Sequence, residues 1–328
     1  MILGIDIAKN KFDVTLVLAS GRQRHRTFAN QASGFAQLSA WVGASAATVV
    51  QACMEATNVY WEALAAYLHE QGYQVSVVNP ARIAGYAKSQ MRRNKTDKLD
   101  SEVIADFCAT QHPAVWTPPS AAQQTLRSLT RHREALLKTR TQQTNRRSTC
   151  SEPLVQKSLD AIIGTLDTEI AQVETHIADL VEQQQTFREE LALITSIPGI
   201  AEHTAVKLMA EMYDLATYPD ANAADADAGL SPAKHESGGC LPGAVHRKPK
   251  LSKVGKASVR GALYMPAMNA IRHNPIVKQL ADRLKAKGKP PMVIIGAAMR
   301  KLLHLVYGVL KHKTPFDPQW ARSTPSPT

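Results

Sequence analysis

The order of apolar runs in the first 80 residues constrains the fold of this chain more than any other feature. Residues 2–7 and 12–19 are short runs rich in β-branched and apolar residues, residues 22–29 alternate polar with apolar, and Gly21 stands where a hairpin would turn. Three strands in a meander follow from that spacing. A helical period over 33–41, an apolar run over 48–54, a helix over 60–69 ending near Gly72, and a strand over 74–78 closed by Asn79 and Pro80 complete the order β-β-β-α-β-α-β-α.

That is the order of an α/β, ribonuclease-H-like sheet, expected here as an N-terminal domain over 1–120. Residues 121–190 read as a second, helical region, with a break at Ser151, Glu152 and Pro153. Beyond the break a heptad seam runs through Leu159, Ile163, Leu166, Ile170, Val173, Ile177, Leu180, Gln184, Phe187 and Leu191, the pattern of a coiled coil. Such a helix needs a partner. Two remain open, the basic helix over 126–147 folded back in cis and the same segment of a second subunit. Gln184, the polar member of the seam, either specifies register or marks a fraying end of the seam.

Residues 191–316 form the third expected region, mainly α-helical. It opens on Ser196-Ile-Pro-Gly-Ile-Ala, which resembles a helix-hairpin-helix turn with Ala201 in place of a second glycine. Residues 229–313 carry 17 Lys/Arg against two Asp/Glu, a local net charge of +15 in a chain whose total is +11. A folded segment with that excess is the electrostatic footprint of nucleic-acid binding. Lys248, Lys250, Lys253, Lys256 and Arg260 are the candidate phosphate contacts. The proline-rich end, residues 317–328, is expected to be disordered.

Cys53, Cys108, Cys150 and Cys240 are widely spaced and form no CxxC pair, which argues against a disulfide frame or a zinc site. No stretch has the ~18 uncharged apolar residues of a membrane span, and the start lacks the marks of a signal peptide. The expectation is a bacterial cytoplasmic, nucleoid-associated protein with no membrane partner.

Four acids suggest chemistry. Asp6 ends an apolar run, Glu55 ends another, and Asp97 and Asp100 are three apart, so on a helix they share a face at ~5–6 Å. Four carboxylates drawn together repel unless cations neutralise them, and hard oxygen donors suit Mg²⁺ or Mn²⁺. Each also has a plainer reading: Asp97 behind Thr96 favours a helix N-terminus, and Asp6 could cap a turn with Lys9. Ser237 lies between His235-Glu236 and two glycines, where backbone can approach a phosphate and the hydroxyl is left unshielded, although on these residues alone it reads as a plain loop serine. Cys240 is a nearby rival nucleophile whose plainer reading, a small apolar loop residue, is the favoured one.

Taken in order, Gly-Ile-Asp-Ile-Ala-Lys (4–9), Glu-Ala-Thr (55–57), Asn-Lys-Thr-Asp-Lys-Leu-Asp (94–100), Ile-Pro-Gly-Ile (197–200), Gly-Leu-Ser-Pro (229–232), Ser-Gly (237–238), Leu-Ser-Lys-Val-Gly (251–255) and Arg-His-Asn-Pro (272–275) resemble the DEDD transposases of the insertion sequence 110 family, relatives of Piv-type DNA invertases. The resemblance implies a RuvC-like N-terminal domain, a helical coiled-coil insertion and a C-terminal transposase domain. It implies that Asp6, Glu55, Asp97 and Asp100 hold Mg²⁺ or Mn²⁺ and that Ser237 joins covalently to DNA phosphate. The implied partners are donor and target DNA, a noncoding bridge RNA that pairs with both, and further copies of the chain. Gly239, where relatives often carry a basic residue, departs from the pattern. The alternative is a RuvC-like structure-specific endonuclease that hydrolyses DNA with water, leaving Ser237 structural.

Overall fold

The computed structural model describes residues 1–44, 50–90, 96–237 and 245–319, with the backbone alone for 233–237 and 245–250. The chain divides into two compact units, Met1–Pro118 and Pro119–Thr328.

In the first unit the meander is β1 (Ile2–Ile7), β2 (Lys11–Val17) and β3 (Gln23–Ala29), followed by α1 (Ala32–Gly43), β4 (Gln51–Glu55), α2 (Glu62–Glu70), β5 (Gln74–Val78), α3 (Pro80–Ser89) and α4 (Asp97–Gln111). Strand order is β3-β2-β1-β4-β5. β1 pairs antiparallel with β2 and β2 with β3, whereas β1, β4 and β5 run parallel. This mixed sheet is compatible with the ribonuclease-H-like domain expected from the run order.

Alternation sorts the strand residues to two faces. Leu3, Ile5, Ile7, Phe12, Val14, Leu16, Ala52 and Met54 pack with Phe35, Leu38, Leu64 and Leu68 of α1 and α2. The opposite face carries Gly4, Asp6, Asp13, Thr15, Cys53 and Glu55, and α4 covers part of it through Val103, Ile104, Phe107 and Cys108. α4 comes very close to β1 because Gly4 has no side chain: a Cβ built there would overlap Ser101 O and Ala105 N. A buried hydrogen bond of 2.8 Å between Thr15 Oγ1 and Ser101 Oγ ties the same helix to β2.

The second unit begins with α5 (Ala121–Thr149) and α6 (Pro153–Gln183), each about 45 Å long at 1.5 Å per residue. The two helices pack against each other, so the basic helix supplies the partner in cis. Their register is written in charge. Arg133 Nε donates to Glu174 Oε1 at 2.7 Å, Arg140 pairs with Asp167, and Arg147 Nε donates to Asp160 Oδ1 at 2.8 Å. The arginines advance by seven while the acids retreat by seven, as an antiparallel hairpin requires.

The heptad seam does not run on unbroken. Gln184 is extended, at φ −105° and ψ 109°, and separates α6 from α7 (Gln185–Thr195). Gln184 is therefore the break itself and not a register residue inside a continuous helix. After it Phe187 and Ile194 join the core of the unit, together with α8 (Glu202–Glu211), α9 (Ala221–Ala228), α10 (Ala257–His273), α11 (Pro275–Ala286) and α12 (Pro291–His312). A β-hairpin, β6 (Pro232–Ser237) and β7 (Val245–Leu251), lies between α9 and α10.

α12 is long and apolar enough to cross a membrane, with a mean hydropathy of 1.6 over its best window. Within that helix Leu302, Leu303, Val306 and Val309 are fully buried in the unit's core, and Arg300 and Lys301 interrupt it, which is the pattern of a core helix. Beyond α12, Phe316 is held: its backbone N–H donates to Ser196 Oγ at 2.8 Å, and its ring packs on the core. Residues 320–328, most of the expected tail, lie outside the described residues.

Candidate active site and nucleic-acid contacts

The sheet brings the four acids together. Asp6 and Gly4 point to the same face of β1, and the parallel register that sets Gly4 beside Cys53 and Ile5 beside Met54 carries Glu55 alongside Asp6. α4 starts with Asp97 and Asp100 in its first turn. Thr96 caps it by accepting from Leu99 N at 3.3 Å, and Asp100 N donates to Thr96 O at 2.8 Å. Close packing of this helix on Gly4 then delivers its N-terminal turn toward the end of β1 where Asp6 sits.

Electrostatics record the convergence. Burial, followed by the charges of Asp100, Glu55, Asp97 and Asp13, pushes the Asp6 carboxyl from its ordinary 3.8 up to about 6. Asp13 is a fifth acid, not singled out from the sequence. It lies directly across the β1/β2 ladder from Asp6 and is 5% exposed. Its neighbours compensate it: Thr27 Oγ1 donates to Asp13 Oδ1 at 2.6 Å, Lys11 Nζ lies 3.3 Å from Oδ2, and His25 Nε2 lies 3.4 Å from Oδ1. Lys11 also reaches Asp97 Oδ2 at 2.6 Å, and these hydrogen bonds, first to Asp97 and then to Asp13, raise the ammonium's pKa. One ammonium thus occupies an edge of the acidic cluster.

An all-oxygen donor set of mutually repelling carboxylates fits a hard divalent cation in chemistry and in charge. Among the described residues no three His, Cys, Asp or Glu side chains stand close enough to ligate a single ion, so the set is gathered but not closed.

In the second unit Ser237 ends β6, opposite Val245 at the start of β7. Gly238, Gly239 and Cys240 lie outside the described residues. The base of this hairpin is fastened tightly. Gly229 ends α9 in the left-handed region at φ +67°, and Gly255, at φ +136°, packs so closely on Asp227 O that a Cβ would overlap it. Backbone N–H groups of Ser252, Lys253 and Lys256 donate to the carbonyls of Ser231, Gly229 and Asp227 at 2.9, 3.2 and 2.8 Å. Gly-Leu-Ser-Pro and Leu-Ser-Lys-Val-Gly are therefore the two legs of one clamp.

Two of the five candidate phosphate contacts already have partners within the protein. Arg260 Nη1 donates to Ala228 O at 2.9 Å and to Gly255 O at 3.2 Å, and Lys256 Nζ lies 2.8 Å from Asp227 Oδ2, which also accepts from Tyr218. Lys253 is exposed and holds a left-handed φ of +57°. The side chains of Lys248 and Lys250, both on β7, lie outside the described residues.

Two further motifs form a second node. Gly199, at φ +104°, packs against Ala270 of α10, where a Cβ would come within 2.8 Å. The fully buried Asn274 donates to Pro198 O at 3.2 Å and caps α11 by accepting from Ile276 N and Val277 N. Ile-Pro-Gly-Ile and Arg-His-Asn-Pro thus hold each other, and Gly199 faces a helix.

A mixed sheet with acids at the ends of its central parallel strands, faced by a helix that starts on two more, defines a domain compatible with the DEDD class of nucleic-acid-processing enzymes. Residues 3–150 match a DEDD transposase model of the IS110 group, described as "Transposase", and residues 191–282 match "Transposase IS116/IS110/IS902 family". The chain is 33% identical over 322 residues to a pilin gene-inverting protein of Moraxella bovis, covering 96% of this chain and 97% of that one. It is 26% identical over 315 residues to the transposase for insertion sequence element IS1111A of Coxiella burnetii, covering 86% and 80%. The chain belongs to the IS110 family of transposases. Family membership supports a DNA-rearranging enzymatic activity and suggests use of a divalent metal.

Proposed function

We propose that this protein is a transposase that cuts and rejoins DNA as a site-specific recombinase, with a metal-dependent acidic site and a covalent phosphoserine intermediate. The observation that carries the acidic site is geometric: Asp6 and Glu55 end the adjacent parallel strands β1 and β4, and Asp97 and Asp100 lie in the first turn of the helix that packs on Gly4. Those four residues would hold Mg²⁺ or Mn²⁺. When bound, the ion supplies neutralising charge and polarises a phosphate oxygen.

The remaining chemistry belongs to the chain. Ser237 Oγ would form a bond to phosphorus as the bond to the leaving deoxyribose oxygen breaks. The serine proton departs, and the leaving oxygen takes one up. A phosphoserine ester keeps the bond energy, so attack by a second strand's hydroxyl reverses the step and reseals DNA without an external energy source. The place of Ser237 at the end of β6, on a clamped base and within the 229–313 segment of net charge +15, supports this reading. Resemblance to the family supports guidance by a bridge RNA pairing with donor and target DNA, and action as a homo-oligomer in the cytoplasm.

The test is strand exchange by wild type, Ser237→Ala and Asp97→Ala on DNA carrying the element's junctions. Recombinant joints and a denaturation-resistant protein–DNA adduct are expected for wild type, both lost in Ser237→Ala. Free cleaved ends persisting in Ser237→Ala would instead establish hydrolysis by water. Full recombination after ribonuclease treatment would remove the RNA from the scheme.

A further inference from the structure

The corner between α11 and α12 carries a run of exposed cations that none of the motifs uses. α11 carries Arg283 and Lys285 in its last turn and Lys287 as its cap. Gly288, at φ +66°, then reverses the chain: its N–H donates to Lys285 O at 2.9 Å, and Lys289 N donates to Leu284 O at 3.1 Å. This pair of bonds is a Schellman motif, so the corner is a built turn with fixed geometry. Residues 285–293 are all exposed, including Met292 at 64% and Val293 at 44%. Asp282 is the sole acid in the sequence from Ser237 to Phe316.

Ordinary helix electrostatics account for only part of this charge. Lys285 and Arg283 suit the negative end of α11. Lys287 and Lys289, however, stand before the N-terminus of the 22-residue α12, the positive end of a dipole that ordinarily attracts acids, and its first turn has none. Arg283 of α11 also lies near enough to Lys301 of α12 to lower the lysine's pKa, after the larger effect of burial. Among the described residues Arg283, Lys285, Lys287, Lys289 and Lys301 make no ion pair with an acid. Cations set beside cations and beside a positive helix end are stabilised by an external polyanion.

We infer that the α11–α12 corner is a docking surface for the phosphate backbone of duplex DNA, with Lys285, Lys287 and Lys289 reaching phosphates and the exposed Met292 and Val293 packing on deoxyribose. It rests on the reading of the protein as a DNA recombinase and adds a place where the duplex is held. This surface is distinct in the fold from the serine hairpin, so it contributes to binding and not to the chemical step.

The test uses full-length protein and a duplex DNA of arbitrary sequence, since backbone contacts are independent of sequence. Binding is measured across a salt series for wild type, for Lys285→Gln/Lys287→Gln/Lys289→Gln, and for a charge-matched control, Lys88→Gln/Lys138→Gln/Lys157→Gln. Each lost phosphate contact lowers the slope of log K against log salt by about 0.9, so the corner variant is expected to lose roughly 2 to 3 from the slope and at least about tenfold in affinity at low salt. The control is expected to keep the wild-type slope, and melting curves verify that both variants fold. The inference fails if the corner variant binds DNA with wild-type slope and affinity, if the control loses as much slope, or if the loss appears only with duplex RNA in a parallel series. Wild-type protein that binds no DNA at all would instead overturn the functional reading beneath it.

Discussion

At Asp6 the fold works against its own stability: the carboxyl is partly buried and faces four other acids, which raises it to about 6. Removing the charge should therefore help the fold while destroying the site. Asp6→Asn is expected to raise the unfolding free energy of metal-free protein by on the order of 1 kcal/mol and to abolish strand exchange. Melts in chelator, then with added Mg²⁺, check this, since wild type should gain from the metal and the variant should not. Gly4 is the opposite case, a residue with no chemistry on which the site depends. Gly4→Ala would drive a methyl into the backbone of α4 at Ser101 and Ala105. A loss of about 1–3 kcal/mol, read in denaturant titrations, is expected, with activity falling because Asp97 and Asp100 move with the helix. Gly4 was visible in the sequence as a glycine inside a strand. Asp13 is hidden in the sequence: in Lys11-Phe-Asp-Val-Thr an alternating acid reads as solvent-facing, and tertiary packing over that face makes it a buried member of the cluster.

Between elements, the α5–α6 hairpin shows a register that the sequence contains but a seam count does not reveal. Arg133, Arg140 and Arg147 oppose Glu174, Asp167 and Asp160, and that reversed spacing favours pairing in cis. Exposed pairs contribute about 0.2–1 kcal/mol each. Reversing the three arginines to Glu is expected to destabilise the second unit by roughly 1–3 kcal/mol, and changing the three acids to Arg in the same chain should restore most of it. Thermal unfolding followed by circular dichroism reads both. Gln184 was legible only as a polar position in a heptad, because a register residue and a helix break leave the same mark in a hydrophobic pattern. The partners of Lys256 and Arg260 were equally hidden, since their acceptors at Asp227, Ala228 and Gly255 come from chain that only the hairpin's folding brings near.

For the molecule as a whole, pH response is the accessible quantity. Glu190 of α7 lines a small cavity of about 20 Å³ with Ile194, Met209, Met212, Leu215 and Val306, and burial alone pushes its carboxyl from 4.5 up to about 7. The folded state then binds more protons than the unfolded one between those values. Stability contributed by the neutral acid is complete below about 4.5 and is lost as pH rises through about 7. Glu190→Gln is expected to match wild type near pH 4 and to exceed it at about pH 8 by on the order of 1 kcal/mol, reduced from the full shift because the group is not fully buried. Urea unfolding across that range is the measurement.

The sequence by itself determined the order of strands and helices in the first unit, because a period of two, a period of 3.6 and the turn residues between them are local properties of the chain. It also determined the acids that end the parallel strands and the charge of the C-terminal third. Tertiary structure alone decided which of those charges are spoken for. Whether a lysine or an acid is free, paired or opposed depends on groups brought from distant positions, and electrostatic energy belongs to that arrangement in space and not to any stretch of chain.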